Sequence, residues 1–242
     1  MLHFPKKILV KIMSKILYTI GDSFTYGDEL ENPDTECYPY LLSKKLGCEL
    51  VNEALPGASN DWMFRKTVEW ICKQENTEDC IVIVGWSIPS RREENFKFYY
   101  GGPPEWERKL IDKENKISHL ISDYLYNHEL ISMRTLVYIF TLQEVLKSKN
   151  IKYLFYQPWV DILIEDDWYE KNDKKDISTY SNRLNEVYTN IDKKFVVGPE
   201  FKISEGYNSY KIAFEEMRHP NKSEQEVISK FIEEKIVELY YD

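Results

Sequence analysis

A short run near the start of the chain, "ILYTIGDSFTYGDE" (residues 16–29), carries a β-favouring segment straight into Gly21-Asp22-Ser23. Such an ending has two readings: an ordinary turn, or a serine hydroxyl presented at the carboxyl edge of a sheet. A serine hydroxyl is a poor nucleophile near neutral pH, so the second reading needs a base to take its proton during attack. Imidazole is the side chain suited to that work. Of the four histidines, His219 has the right setting, because Pro220 biases it towards extended backbone on a loop before the final helical pattern. His119 and His128 fall on helical patterns, and His3 belongs to the amino-terminal stretch.

The elements that would position these groups alternate along the chain. Strand-length apolar runs occur at 16–21, 48–55, 80–86, 151–157 and 194–198, the third and fourth nearly continuous, as in strands covered on both faces. Helical patterns lie between them. "YPYLLSKKLG" has Pro39 in its first turn and Gly47 just past its end. The segment starting at Ser59 or Asn60 is a second helix, capped by one of those residues. Residues 119–149 form one long helix or two, with Leu130, Met133, Leu136, Val137, Phe140 and Leu146 on the apolar stripe. The last helix begins at a Ser223/Glu226 capping-box signature.

This order predicts an α/β fold: a three-layer α/β/α sandwich around a mostly parallel five-stranded sheet. Sites in such sheets gather at the carboxyl ends of the strands. Residues 1–13 read as an amino-terminal extension, with Met13-Ser14 a candidate second start, and 14–242 as a single domain. The segment 87–118, rich in Pro, Gly and charge, is an excursion that could serve as a lid or specificity loop.

Composition narrows the partners. With 41 acidic against 32 basic residues the formal net charge is -9, which disfavours nucleic acid, since phosphate neutralisation takes clustered Lys and Arg. The apolar run at the amino terminus is too short to span a bilayer, is broken by Lys11, and is followed by no small-residue cleavage site. A cytoplasmic protein without membrane contact is expected. Cys37, Cys48, Cys72 and Cys80 form no C-x-x-C pair and have no histidine at metal-ligand spacing. They read as reduced thiols, with two disulfides as the alternative, and no metal site is expected.

Four blocks, "GDSFTYG", "NEALPGASN", "VIVGWS" and "EEMRHPN", resemble the SGNH (GDSL-like) hydrolase family in order and spacing. The resemblance runs from residue 16 to the last helix and implies the flavodoxin-like fold of that family. It implies an ester-cleaving enzyme without metal or organic cofactor, acting through an acyl-enzyme on Ser23. His219 would be base and then acid, and Glu216, three residues before it, would orient the ring in place of the family's Asp. The Ser23 and Gly57 N–H groups would hold the oxyanion. The family's third donor is an Asn two residues after the Gly of "VIVGWS", where this chain has Ser87. A hydroxyl reaches less far than an amide, so Asn60 is a candidate replacement, and Asp161 is a fallback orienter.

Substrate contacts are open to two readings each. Asp22 suits backbone hydrogen bonding at the turn better than acid–base work. Arg91 and Arg92 could bind an anionic part of a ligand or be a solvated charged loop. Trp86, Trp106 and Trp159 could stack on a sugar, which would fit an O-acetylated carbohydrate, or pack internally. A non-catalytic binding module and an acyltransferase on the same scaffold are the competing functions.

Overall fold

The computed structural model describes residues 15–89, 91–94, 97–100, 128–156, 184, 186–197 and 218–241. Five strands make the main sheet: Ile16–Gly21 (β1), Glu49–Asn52 (β2), Cys80–Gly85 (β3), and further along Lys152–Tyr156 and Val196–Val197. Between β3 and these last two lies a separate antiparallel pair, Arg91–Glu94 (β4) with Lys97–Tyr100 (β5), so the later strands are β6 and β7. The main sheet runs β2-β1-β3-β6-β7, every neighbour parallel. The expected excursion after residue 87 therefore begins with a hairpin; its remainder, 101–118, lies outside the described residues, as does the extension 1–13.

Alternation along the strands divides the core in two. Tyr18, Ile20, Val82, Val84, Tyr153 and Phe155 face one way, meeting Met63, Trp70 and Ile71 of the helix Asn60–Cys72. The same layer holds Leu136, Ile139, Leu142 and Leu146 of the helix His128–Ser148. Leu17, Ile81, Ile83, Leu154 and Tyr156 face the other way, against the helices Tyr38–Leu46 and Lys222–Tyr240. With the short turns Ser23–Tyr26 and Pro33–Glu36, the helices in chain order are α1 (23–26), α2 (33–36), α3 (38–46), α4 (60–72), α5 (128–148) and α6 (222–240). The result is the expected three-layer α/β/α sandwich around a parallel five-stranded sheet. Chain direction across the sheet reverses between β1 and β3, which opens the crevice above their carboxyl ends.

Local detail departs from expectation in two places. α6 is capped by Asn221 rather than Ser223: its side chain accepts from the Glu224 N–H at 3.1 Å, and Glu224 reaches back to the Asn221 N–H at 2.8 Å. The same spacing rule fits both pairs, but Asn221 is the residue with extended backbone directly before the first turn. On α5 the buried stripe includes Ile139 and Leu142, whereas Val137 is 42% exposed, so the apolar face is rotated from the expected one.

One contact sets the height of α1 over the sheet. Gly21 and Gly85 are register partners at the ends of β1 and β3, and Thr25 rests on both. A Cβ at either glycine would run into the Thr25 hydroxyl, which is itself buried and accepts from Tyr38 Oη at 3.2 Å. Gly85→Ala is expected to cost about 1–3 kcal/mol, as overpacking does, read as a lower urea midpoint with unchanged slope; a midpoint equal to wild type would show that α1 does not sit this close.

Candidate active site

β1 ends at Gly21, and Asp22 becomes the cap of α1: its Oδ1 accepts from the Phe24 N–H at 3.1 Å. The turn closes at Gly27, in the left-handed region at φ 87°, with the Gly27 and Asp28 N–H groups both donating to the Ser23 carbonyl at 3.0 Å. Ser23 is thereby held at the carboxyl end of β1, beside the crevice. Among the described residues neither its N–H nor that of Gly57 has a backbone acceptor. Gly57 follows β2 with φ 78°, a conformation that favours glycine and leaves the backbone open to close approach.

Beneath Ser23 lies a buried polar network. The second Asp22 oxygen, Oδ2, accepts from the Ser87 hydroxyl at 2.6 Å and from Arg91 Nη1 at 2.8 Å. Arg91 Nη1 also donates to Ser87 Oγ at 2.7 Å. Asp22, Ser87 and Arg91 are 1%, 1% and 7% exposed, so this is an ion pair almost out of water, where satisfaction of every group matters. Asn60, the first residue of α4, extends it: its Oδ1 accepts from the Ser87 N–H at 2.8 Å, and its Nδ2 donates to the Ser87 carbonyl at 2.9 Å and to Thr135 Oγ1 at 3.3 Å.

These bonds revise several expectations. The single Ser87 proton is committed to Asp22 and the Asn60 amide to Ser87 and Thr135, so both act here as braces rather than as oxyanion donors. Arg91 is neither solvated nor set at the surface for a ligand; it neutralises Asp22. Trp86 is fully buried, edge-on to Phe155 with ring centroids 5.5 Å apart, and offers no face to a sugar. Arg92 is in β4, opposite Tyr99. Glu216, Trp106, Trp159 and Asp161 lie outside the described residues.

His219 comes to the same rim from the far end of the chain. Its ring lies 5.3 Å, centroid to centroid, from that of Phe24, the residue after Ser23. Three contacts from the first turn of α6 hold it, and the loop before it, against the α1–α3 segment. Gln225 Nε2 donates to the Phe24 carbonyl at 3.3 Å while its Oε1 accepts from the Tyr38 N–H at 2.9 Å. Lys222 pairs with Glu36 at 2.9 Å. Arg218 braces the loop from within, bidentate to Glu224 at 2.6 and 2.8 Å and donating to the His219 carbonyl at 3.1 Å.

One residue at this rim escaped the sequence reading. Glu29 meets His219 twice: Oε1 lies 3.1 Å from Nδ1, and Oε2 accepts from the His219 N–H at 3.2 Å. Those contacts with His219 hold the Glu29 carboxyl below the usual carboxylate range. No spacing rule links residues 29 and 219. The only local signal was positional: Glu29 follows closely after the serine turn.

Residues 25–241 match the profile of a family described as being of unknown function, DUF6071. The chain belongs to that family. No curated protein matches the DUF6071 chain in sequence. Among solved structures it is similar to the psychrotrophic esterase EstA from Pseudoalteromonas sp., at 14% identity and TM-score 0.52, over 95% of this chain and 100% of that one. It also matches a lipolytic protein of the G-D-S-L family from Desulfitobacterium hafniense, at 13% identity and TM-score 0.45, covering 92% and 99%. At these identities the likeness is one of fold.

Two measurements check the site's construction. Arg91→Met strands the buried Asp22 charge and is expected to destabilise the DUF6071 protein by about 3–5 kcal/mol in urea unfolding; a loss within experimental error would mean the pair is not buried in solution. The second concerns acid. Burial raises the Glu224 pKa, but bonds from Arg218 and from the Asn221 N–H outweigh it, so the carboxyl sits below its ordinary 4.5. A lowered folded pKa gives stability that is present above 4.5 and lost as pH falls through the folded value. The melting temperature should therefore drop on acidification below about pH 4.5, and Glu224→Gln should flatten that part of the curve; parallel curves would exclude the linkage.

Proposed function

We propose that this protein is a serine hydrolase of the SGNH type that cleaves a carboxylic ester through an acyl-enzyme on Ser23. The observation that carries the reading is the approach of the His219 ring to the Ser23–Phe24 turn, two segments almost two hundred residues apart in sequence. The place of Ser23 at the end of β1 and the two N–H groups that have no backbone acceptor among the described residues support it.

The chemistry follows from those groups. The Ser23 oxygen attacks the ester carbonyl carbon while its proton passes to the free nitrogen of His219. The carbonyl oxygen becomes an oxyanion facing the Ser23 and Gly57 N–H groups. The imidazolium then returns the proton to the alcohol as the C–O bond breaks, leaving the acyl group on Ser23. Water, deprotonated by His219, releases the acid. A carboxylate on Nδ1 keeps the ring in the tautomer this needs, and Glu216 is the candidate by position in its motif. With Ser87 and Asn60 committed elsewhere, the described residues supply two donors to the hole; a missing third typically costs about 10²–10³ in turnover. Slow turnover is accordingly expected.

The substrate class is an ester small enough to enter the crevice between β1 and β3, with an O-acetylated carbohydrate as the specific candidate. Residues 14–242 would act as one domain, and the four free thiols support a cytoplasmic setting. The commitment of Ser87 and Asn60 to other partners also favours a second reading, a binding module that keeps the scaffold without turnover. An acyltransferase shares the first half-reaction and differs only in the acceptor.

Incubation with a fluorophosphonate probe and with p-nitrophenyl acetate separates these readings. The hydrolase should be labelled on Ser23, and both Ser23→Ala and His219→Gln should abolish labelling and turnover while keeping the wild-type melting temperature. Absence of labelling in the wild type supports the binder; labelling with turnover that rises only on adding an acceptor alcohol supports the transferase.

A further inference from the structure

We propose that Glu29, rather than the motif residue Glu216, is the carboxylate that orients His219. The consequence for catalysis rests on the serine-hydrolase reading above, whereas the contact itself does not.

Four observations converge on it. Among the described residues Glu29 is the one acidic group within ion-pair distance of the His219 ring, at 3.1 Å from Nδ1. That nitrogen is buried and has no hydrogen bond of its own in the structure, and the Glu29 Oε1 stands within hydrogen-bonding distance of it. The other Glu29 oxygen takes the His219 backbone N–H at 3.2 Å, so one side chain fixes both the loop and the ring it carries. Glu29 itself sits at φ 68°, in the left-handed region that glutamate rarely adopts, and such conformations concentrate where function requires them.

The fourth observation is where Glu29 is rooted. The turn that carries it is the turn that carries Ser23: Gly27 and Asp28 donate to the Ser23 carbonyl, and the Leu30 N–H donates to the Gly27 carbonyl at 3.3 Å. Nucleophile and orienter thus share one rigid loop, and the imidazole is clasped against it from the other end of the chain. A carboxylate at Nδ1 holds the neutral ring with its proton on that nitrogen, leaving the Nε2 lone pair for the Ser23 proton. Glu29 touches neither substrate nor reacting atoms in this scheme, so it is a positioning residue.

The test reads the tautomer as well as the rate. In ¹⁵N NMR of the full-length protein, with His219→Gln assigning the signals, the neutral wild-type ring should carry its proton on Nδ1. Glu29→Gln should redistribute it towards Nε2, and should slow fluorophosphonate labelling of Ser23 by about 10²–10⁴-fold, the range general acid–base catalysis spans. Glu216→Gln should do neither. An unchanged tautomer in Glu29→Gln overturns the assignment, even if labelling slows, as does a redistribution produced by Glu216→Gln alone. A wild type that is never labelled sinks the hydrolase reading while the tautomer still decides on Glu29. Glu29→Asp, which keeps the charge on a shorter arm, supplies the same readout if the glutamine variant fails to fold.

Discussion

A carboxylate almost wholly removed from water governs this end of the molecule. Asp22 follows β1, Arg91 opens the hairpin after β3, and their ion pair spans the carboxyl ends of the two central strands. A charge in that position is tolerable only if its lone pairs are filled, and the Phe24 N–H, the Ser87 hydroxyl and Arg91 fill them. Because one Asp22 oxygen also caps α1, satisfying the charge fixes the backbone at Ser23. The polar floor of the crevice and the placement of the serine are therefore one structural problem with one solution.

The two halves of the candidate site are held by different physics. The serine side is locked from below, by glycine-to-threonine contact at Gly21, Gly85 and Thr25 and by the buried network. The histidine side is held by one buried tie, Gln225 bridging two backbone groups, and by ion pairs nearer the surface, Lys222 on Glu36 and Arg218 on Glu224. Exposed pairs of this kind are individually weak. What makes the loop specific is their number, together with the capping box that starts α6 directly behind it.

Ser87 illustrates how a substitution in a short motif can alter a site's logic. A hydroxyl has one proton, and here it goes to Asp22. Arg91 reaches the same spot and brings the positive charge that balances Asp22. Asn60 then closes on the Ser87 backbone from α4, pinning the loop after β3 in place. A residue that resembles a weakened oxyanion donor in sequence is a structural keystone in space.

Periodicity and punctuation made the architecture legible. Alternating apolar strands and amphipathic helices specified the layers, Pro39 and Gly47 bounded α3, and the β1–Ser23 junction marked a strand end worth examining. The errors are physical too. Asn221 and Ser223 both satisfy a capping spacing, and only the path of the backbone chose between them. Trp86 and Arg91 lie near a strand end, where sites form, but whether a side chain faces a crevice or the core depends on neighbours distant in sequence. The chain by itself determined the elements, their order and the groups able to do chemistry, because those follow from local propensity and period. Only the tertiary structure decided that Glu29 meets His219 and that Ser87 serves Asp22, because such pairings join segments distant in sequence that only the assembled sheet brings side by side, and no local rule encodes them.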